Sequence, residues 1–274
     1  MLGEFCYWIV NMSITASVTG LIVMAARKIK AVPRRFSVFL WIIPFVRMWV
    51  PFGLNSRYSL MTLISQLTTK TVTIYQPADD IAFSVTNTLM LADSYFPIAY
   101  KVNILSKVFD AVHLKGNVFL SPKVESPAVY GIIRPRIVLP TSFASAELKH
   151  ILQHEKTHIR RLDNLWRLAG FLTAAVHWFN PLSWIFLKAF LSDLELACDE
   201  AATAKYSEDE RREYALDLLN CVQSKSLFVS AFGGAKVRTR IESILSYKKM
   251  TAFSAVGFGL LIIIIIYTLL TNAG

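Results

Sequence analysis

His154, Glu155 and His158 stand in the run HEKTH, a His-Glu-x-x-His pattern whose chemistry depends on where a helix would place the side chains. Four residues make about one helical turn, so both imidazoles leave the same face and can bind one zinc ion. Glu155 falls near the edge of that face. From there it can take a proton from a metal-activated water as the water attacks a peptide carbonyl, and return it to the leaving amine. Two histidines and a base leave a third ligand to be found. Glu195, within DLELACDE, is the candidate, with Glu200 and Asp193 as rivals in the same segment. Asp199, one turn beyond Glu195, would hold a ligand histidine through its other ring nitrogen, leaving the fourth position to water. An isolated His-Glu-x-x-His can also arise by chance in a charged helix. The second acidic helix, and strands ahead of the motif that could align an extended substrate by edge hydrogen bonds, weigh towards zinc.

The elements that must present these groups can be read around them. Short strands are predicted at 117–120, 128–133 and 136–139, separated by Pro122, Pro127 and Pro135 at turn positions. Ser145 suits an N-cap and Glu147 the first turn of the helix that carries HEKTH. A helical stretch at about 164–189, broken at Asn180 and Pro181, and a further helix at about 191–205 follow. Of the remaining polar groups, His150 is expected on a solvated surface and His177, beside Trp178 and Phe179, in interfacial packing. Cys198 reads as simply buried, and Arg160 and Arg161 as facing lipid headgroups or solvent.

Around this region the chain is apolar: 54% of its 274 residues are hydrophobic, and the mean hydropathy is +0.44, beyond the usual soluble balance. Residues 5–26 carry no charge and are long enough to span a bilayer; they lack the basic start and cleavage site of a signal peptide. Arg27, Lys28, Lys30, Arg34 and Arg35 follow, which places that loop in the cytoplasm and the amino terminus outside. A second span is expected at 36–54, with Pro44 as a kink and Arg47 as a costly intramembrane charge that snorkels, pairs, or shortens the span. Residues 55–80 read as an external loop. Residues 81–100 form a weak third span, interrupted by Asp93 and Pro97 and followed by Lys101 and Lys107. Residues 251–270 form the clearest span, preceded by Lys248 and Lys249. The resulting division is an N-terminal membrane region (1–107), a cytoplasmic domain (108–250) and a final span with a short external tail (251–274).

The net charge of +10 lies mostly beside the apolar spans, which fits inner-face anchoring better than a nucleic-acid surface, and no DNA- or RNA-binding signature is present. Cys6, Cys198 and Cys221 are odd in number and unpaired in spacing, so neither a disulfide framework nor a cysteine zinc site is implied.

Several segments together resemble the peptidase M56 family, the integral-membrane metalloprotease part of the BlaR1/MecR1 antirepressors. They are SPAVYGIIRPRIVLP at 126–140, HEKTHIRRLDNLWR at 154–167, HWFNPLSW at 177–184, LELACDEA at 194–201, and the stretch from AFGG to RIESILSYKK at 231–249. The resemblance implies an α-helical, multi-spanning protein of a bacterial plasma membrane, with four spans and an α+β zincin-like (gluzincin) domain. It also implies a zinc site facing the cytoplasm, and proteolysis of a cytoplasmic protein, a winged-helix repressor of the BlaI/MecI kind being the candidate. Self-cleavage accompanies activation in such proteins, and a homodimer is a candidate assembly. Family sensors continue past the last span into an extracellular penicillin-binding domain. This chain stops four residues after it, so sensing by acylation is not carried over, and the weak third span puts the coupling of outside to inside in doubt. Residues 224–237, SKSLFVSAFGGAKV, are the segment best suited to self-cleavage, a plain linker being the alternative. A non-catalytic membrane scaffold with a structural zinc site, or a housekeeping membrane protease, are the alternative functions.

Overall fold

The computed structural model of the protein describes residues 2–28, 33–50, 55–56, 111–124, 126–141, 148–223, 237–246, 252–270 and 272–273. The weak third span, the 55–80 loop beyond its first two residues, Ser145, Glu147, Lys248, Lys249 and nearly all of the 224–237 segment lie outside the described residues.

Helix α1 covers Leu2–Ala26, and within it Trp8–Ala26 is long and apolar enough to cross a membrane. The second apolar stretch folds as α2 (Arg34–Leu40) and α3 (Ile42–Trp49). They are joined through Trp41, which keeps helical angles. Pro44 cannot donate to the Leu40 carbonyl, and the break in the helix falls there. The helical part ends at Trp49, short of the expected 54, because Val50 turns extended ahead of Pro51. Arg47 is buried. A two-residue strand β1 (Asn55–Ser56) pairs in parallel with β6 (Asn272–Ala273), which follows the apolar helix α9 (Ala252–Leu270). The chain leaving α3 and the chain leaving α9 therefore meet at one end of the helices.

The polar domain opens with a four-stranded sheet. Its strands are β2 (Val112–Lys115), β3 (Val118–Ser121), β4 (Ala128–Tyr130) and β5 (Arg136–Pro140), in the order β2-β3-β5-β4. Strand β2 lies outside the strands that the sequence predicts: VHLK alternates apolar and polar residues over only four positions, and all four side chains are exposed. It turns into β3 through Gly116, whose positive φ of 61° suits glycine. Strand β4 ends at Tyr130 rather than 133, and Ile133 is almost fully exposed. The central strand β5 lies parallel to β3 and antiparallel to β4, and Ile137, Val138 and Leu139 are completely buried. Val118, Ile137 and Leu139 pack with Ile151, Leu152 and Ile159 of helix α4 (Leu148–Arg160). Each such buried aliphatic contributes roughly 1.5–3 kcal/mol. One side of α4 is thereby committed to the sheet, and the two histidines leave the helix beside it.

Across from it runs α6 (Pro181–Ala202), capped by the Asn180 side chain, which accepts from the Leu182 amide, with Pro181 in the first turn. The sequence suggested a boundary near residue 190. The helix instead continues unbroken, because LKAFLSDLELACDEAA contains neither a glycine nor a proline to end it. Helix α5 (Asp163–Val176) joins α4 to α6. Helices α7 (Glu208–Gln223) and α8 (Val237–Leu245) pack Tyr214, Ala215 and Ile244 against Ala202 at the far end of α6. The near end of α6 belongs to a different core, in which Phe186, Phe190 and Leu194 pack with Trp41 and Ile43.

Candidate metal centre

Helix α4 brings His154 and His158 together with their Nε2 atoms 3.0 Å apart and their rings nearly perpendicular. Helix α6 supplies Glu195, whose carboxylate oxygens stand 3.7 Å from His154 Nε2 and 3.6 Å from His158 Nε2. The opposite ring nitrogens are engaged elsewhere. His158 Nδ1 donates to Asp163 Oδ2 at 2.7 Å. His154 Nδ1 donates to the Tyr214 hydroxyl at 2.8 Å, and Tyr214 donates to Asp199 Oδ1 at 2.8 Å. Asp199 Oδ1 is itself 3.2 Å from His154 Nδ1. Without a cation one Nε2 must carry a proton to bond the other at 3.0 Å; with that proton displaced and the Nδ1 protons held by their acceptors, both Nε2 lone pairs would point into the same space beside Glu195. Two imidazole lone pairs and a carboxylate at one spot is the donor set that suits a divalent cation of the zinc type.

His154, His158 and Cys198 also offer ligand atoms within 4.8 Å of one another. The two candidate trios differ in side. Cys198 Sγ lies 3.7 Å from His154 Nδ1, on the flank already occupied by Tyr214 and Asp199, whereas Glu195 faces the Nε2 atoms that the histidines share. Of the two, Glu195 is the one on the side that the Nε2 atoms share.

The outer partners are fixed in turn. Arg240 on α8 grips Asp199 with Nε at 2.7 Å and Nη2 at 2.8 Å, and its Nη1 lies 3.6 Å from Glu195. Arg167 on α5 donates to the other Glu195 oxygen. Asp163 accepts from Arg161 Nε at 3.2 Å, and Arg161 also donates to the Ala197 carbonyl at 2.7 Å. The α4–α5 corner makes this possible. Leu162 takes a left-handed φ of 57°, rare for a residue other than glycine, and so turns Asp163 back onto His158.

These groups set one another's protonation. Burial opposes charge on His154, but Cys198, Tyr214 and the Asp199 carboxylate outweigh it and hold the ring's pKa well above 6.5. At His158 burial is outweighed by Cys198, Glu195 and Asp163, again raising the pKa. Glu195 is pushed up by burial yet held well below 4.5 by His158, His154 and Arg240. Asp199 is held far below the ordinary carboxylate range, chiefly by Arg240 working against burial. The shifts favour protons on the rings and none on the carboxylates of the metal-free site, and it is the ring protons that a bound cation would displace.

Glu155 follows His154 on α4 and is only 7% exposed. Among the described residues no hydrogen bond to its carboxylate is formed. The two rivals of Glu195 go elsewhere: Asp193 accepts from Arg27 and Trp41, and Glu200 lies 3.3 Å from Arg35. Three expectations are corrected. His150 is buried, with Nδ1 2.6 Å from Asp217, not solvated. Arg161 is bonded to Asp163 and the Ala197 carbonyl rather than facing headgroups or solvent. His177 is completely buried, its Nε2 on the Met48 carbonyl at 2.9 Å, instead of lying at an interface. Asp163, Arg167, Tyr214 and Arg240 went unnoticed as parts of the site. Asp163 stands five residues from His158, a spacing that no regular helix brings together, and the other three lie in elements with no local motif.

Paired histidines and a carboxylate converge in a mostly helical protein with an apolar helix long enough to cross a membrane, and the family whose model the chain matches is one of metallopeptidases. The chain belongs to the peptidase M56 family: the family model, BlaR1 peptidase M56, matches residues 98–244. It is similar to the regulatory protein BlaR1 of Bacillus licheniformis, with 30% identity over 146 residues, half of this chain and 24% of that protein. The methicillin resistance mecR1 proteins of Staphylococcus aureus and Staphylococcus epidermidis are 24% identical over 171 residues, covering 58% of this chain and 29% of theirs. The chain thus spans less than a third of the length of these curated relatives.

Proposed function

We propose that this protein is a multi-pass membrane zinc endopeptidase of the gluzincin type, with spans in 1–107 and 251–274 and its catalytic domain, 108–250, on the cytoplasmic side. His154, His158 and Glu195 hold the zinc, which when bound supplies Lewis acidity to water and to the peptide carbonyl. Glu155 is the base: it takes the proton of the attacking water and passes it to the departing amine. Asp163 fixes the His158 ring, and Asp199 fixes His154 directly and through Tyr214, so that the coordinating lone pairs need no reorganisation. The substrate is a cytoplasmic protein, with a winged-helix repressor of the BlaI/MecI kind as the candidate, and the chain's own 224–237 segment is a second target. The observation that carries this reading is the convergence of the two Nε2 atoms and Glu195 on one spot, with Glu155 next to His154 in the same helix.

Purified full-length Glu155→Gln is expected to keep its metal and lose about 10²–10⁴-fold of its cleavage rate on casein. His154→Ala and Glu195→Ala lose metal and activity together. Mass spectrometry of wild type and Glu155→Gln reads self-cleavage from the same preparations as a new terminus within 224–237. Cleavage by Glu155→Gln at the wild-type rate would remove the catalytic assignment. The competing reading is a structural zinc closed by four protein ligands, supported by the nearness of Cys198. Metal loss in Cys198→Ser would favour it, whereas retention supports the catalytic site.

A further inference from the structure

Helix α6 does not merely touch α1; it runs beside it in fixed register. Arg27 Nη2 meets Asp193 Oδ1 at 2.7 Å, a sequence separation of 166. Gly20 lies against the ring of Phe186, where an added Cβ would come within 2.2 Å of the ring. The Asn180 amide donates to Ser13 and Ser17 Oγ, both at 2.8 Å, at separations of 167 and 163. Contacts at nearly constant separation along both helices mean that they lie parallel and side by side. The first half of α6 therefore occupies the same depth as the second half of α1. From Arg27 at the cationic end, Ser17 is about 15 Å and Ser13 about 21 Å along the helix. Helix α5 reaches the same level, where Thr173 accepts from Trp49 at 2.7 Å and His177 meets the Met48 carbonyl.

We propose that residues 163–193 form a re-entrant helical hairpin, sunk into the cytoplasmic leaflet past the middle of the bilayer, with its outer face covered by lipid acyl chains. This rests on α1 being a membrane span. The apolar side chains Leu168, Leu172, Val176, Trp178, Phe179 and Ile185 are 39–50% exposed. Between Arg167 and Lys188 the hairpin carries no Asp, Glu, Lys or Arg.

Three carbonyls of its tip are closed internally, as irregular backbone at that depth requires, although His177 Nδ1 is left without a partner among the described residues. The His177 carbonyl accepts from the Asn180 amide and Ser183 Oγ. The Trp178 carbonyl accepts from Trp184 Nε1. The Asn180 carbonyl accepts from the Ser183 amide and hydroxyl. A water-exposed turn needs no such closure. The hairpin emerges from the membrane at Asp193, at the level of Arg27, and Glu195 follows two residues later. The metal centre accordingly sits at the inner membrane surface, and the substrate class it serves is a chain segment at or near that surface.

The test uses the full-length protein with Cys6, Cys198 and Cys221 replaced by serine, in phosphatidylcholine–phosphatidylglycerol liposomes. Single spin-labelled cysteines are placed by Leu172→Cys, Val176→Cys and Ile185→Cys on the hairpin. Leu21→Cys on α1 and Glu213→Cys on α7 serve as references. Accessibility to oxygen, which concentrates in lipid, is compared with accessibility to a water-soluble nickel chelate. The hairpin positions are expected to match position 21, with an oxygen-to-chelate ratio about tenfold above that at position 213. A chelate-accessible hairpin with an oxygen-accessible position 21 overturns the proposal and leaves the membrane reading standing. Hairpin positions shielded from both reagents would mean that protein, such as a second copy, covers the face, and also overturn it. A chelate-accessible position 21 would sink the membrane reading and the hairpin together. Any one of the three hairpin variants that inserts is enough for the reading.

Discussion

At the scale of single residues, the hydrogen bonds to Nδ1 decide which ring nitrogen each histidine can offer. Asp163 is the clearest lever, since it is buried and receives the His158 Nδ1 proton at 2.7 Å. Asp163→Asn keeps the shape but presents a weaker acceptor, and we expect metal affinity to fall about 10–100-fold in chelator competition. Unchanged affinity would show that the ring is oriented by packing alone. Acidity offers a second probe. The raised pKa values of His154 and His158 give the metal-free protein a stabilising contribution that is full below the ordinary 6.5 and lost as pH rises through the raised values. The depressed Glu195 contributes in the opposite sense, fully above 4.5 and progressively less as pH falls through its lowered value. The metal-stripped protein is thus most stable in mildly acidic solution. Zinc needs the nitrogens unprotonated, so its stabilisation grows with pH. Thermal midpoints with and without chelator should diverge steadily from about pH 5.5 to about pH 8.5. A constant gap would contradict the coupled site.

At the scale of elements, α6 is a beam shared between two environments. Four acidic residues on it divide by direction: Asp193 and Glu200 meet the cations that follow α1, while Glu195 and Asp199 turn to the histidines of α4. Asp193 has 0% side-chain exposure and is held by Arg27 and the Trp41 indole. Arg27→Ala would leave that carboxylate buried without its cation, at a cost of about 3–5 kcal/mol. A fall in the thermal midpoint of the detergent-solubilised protein, substantially restored by Asp193→Asn in the same chain, is the expected result. A midpoint equal to wild type in Arg27→Ala alone would show that the junction does not hold α6 in place. The acidic run DLELACDE was legible as a helix with carboxylates a turn apart. Which carboxylate faces the histidines was not, because a helix 22 residues long touches different partners around its whole circumference.

At the scale of the whole molecule, the parallel pairing of Asn55 with Asn272 and Ser56 with Ala273 puts the segments after α3 and after α9 at one end, opposite the cationic junction. Both should be reached from outside the cell. Single cysteines at positions 60 and 273 of an otherwise cysteine-free chain are expected to react with an impermeant maleimide in intact cells, and position 147 only after permeabilisation. Labelling of 147 in intact cells would reverse the orientation of the domain.

The sequence alone was enough for the features whose cause is local. The turn-spaced histidines, the proline-bounded strands, the apolar helices at both ends and the family resemblance are all written in short stretches of side chains. The tertiary structure decided what depends on residues far apart. It set Glu195, rather than Asp193 or Glu200, beside the two histidines, and brought Asp163 back through a left-handed Leu162. It also recruited Tyr214 and Arg240 from later helices, and buried His150 and His177. The physical reason is the same in each case. A helix or strand declares its own period, but the pairing of a buried charge is chosen by whichever opposite charge or donor the fold delivers to it, and that neighbour has no trace in the surrounding sequence.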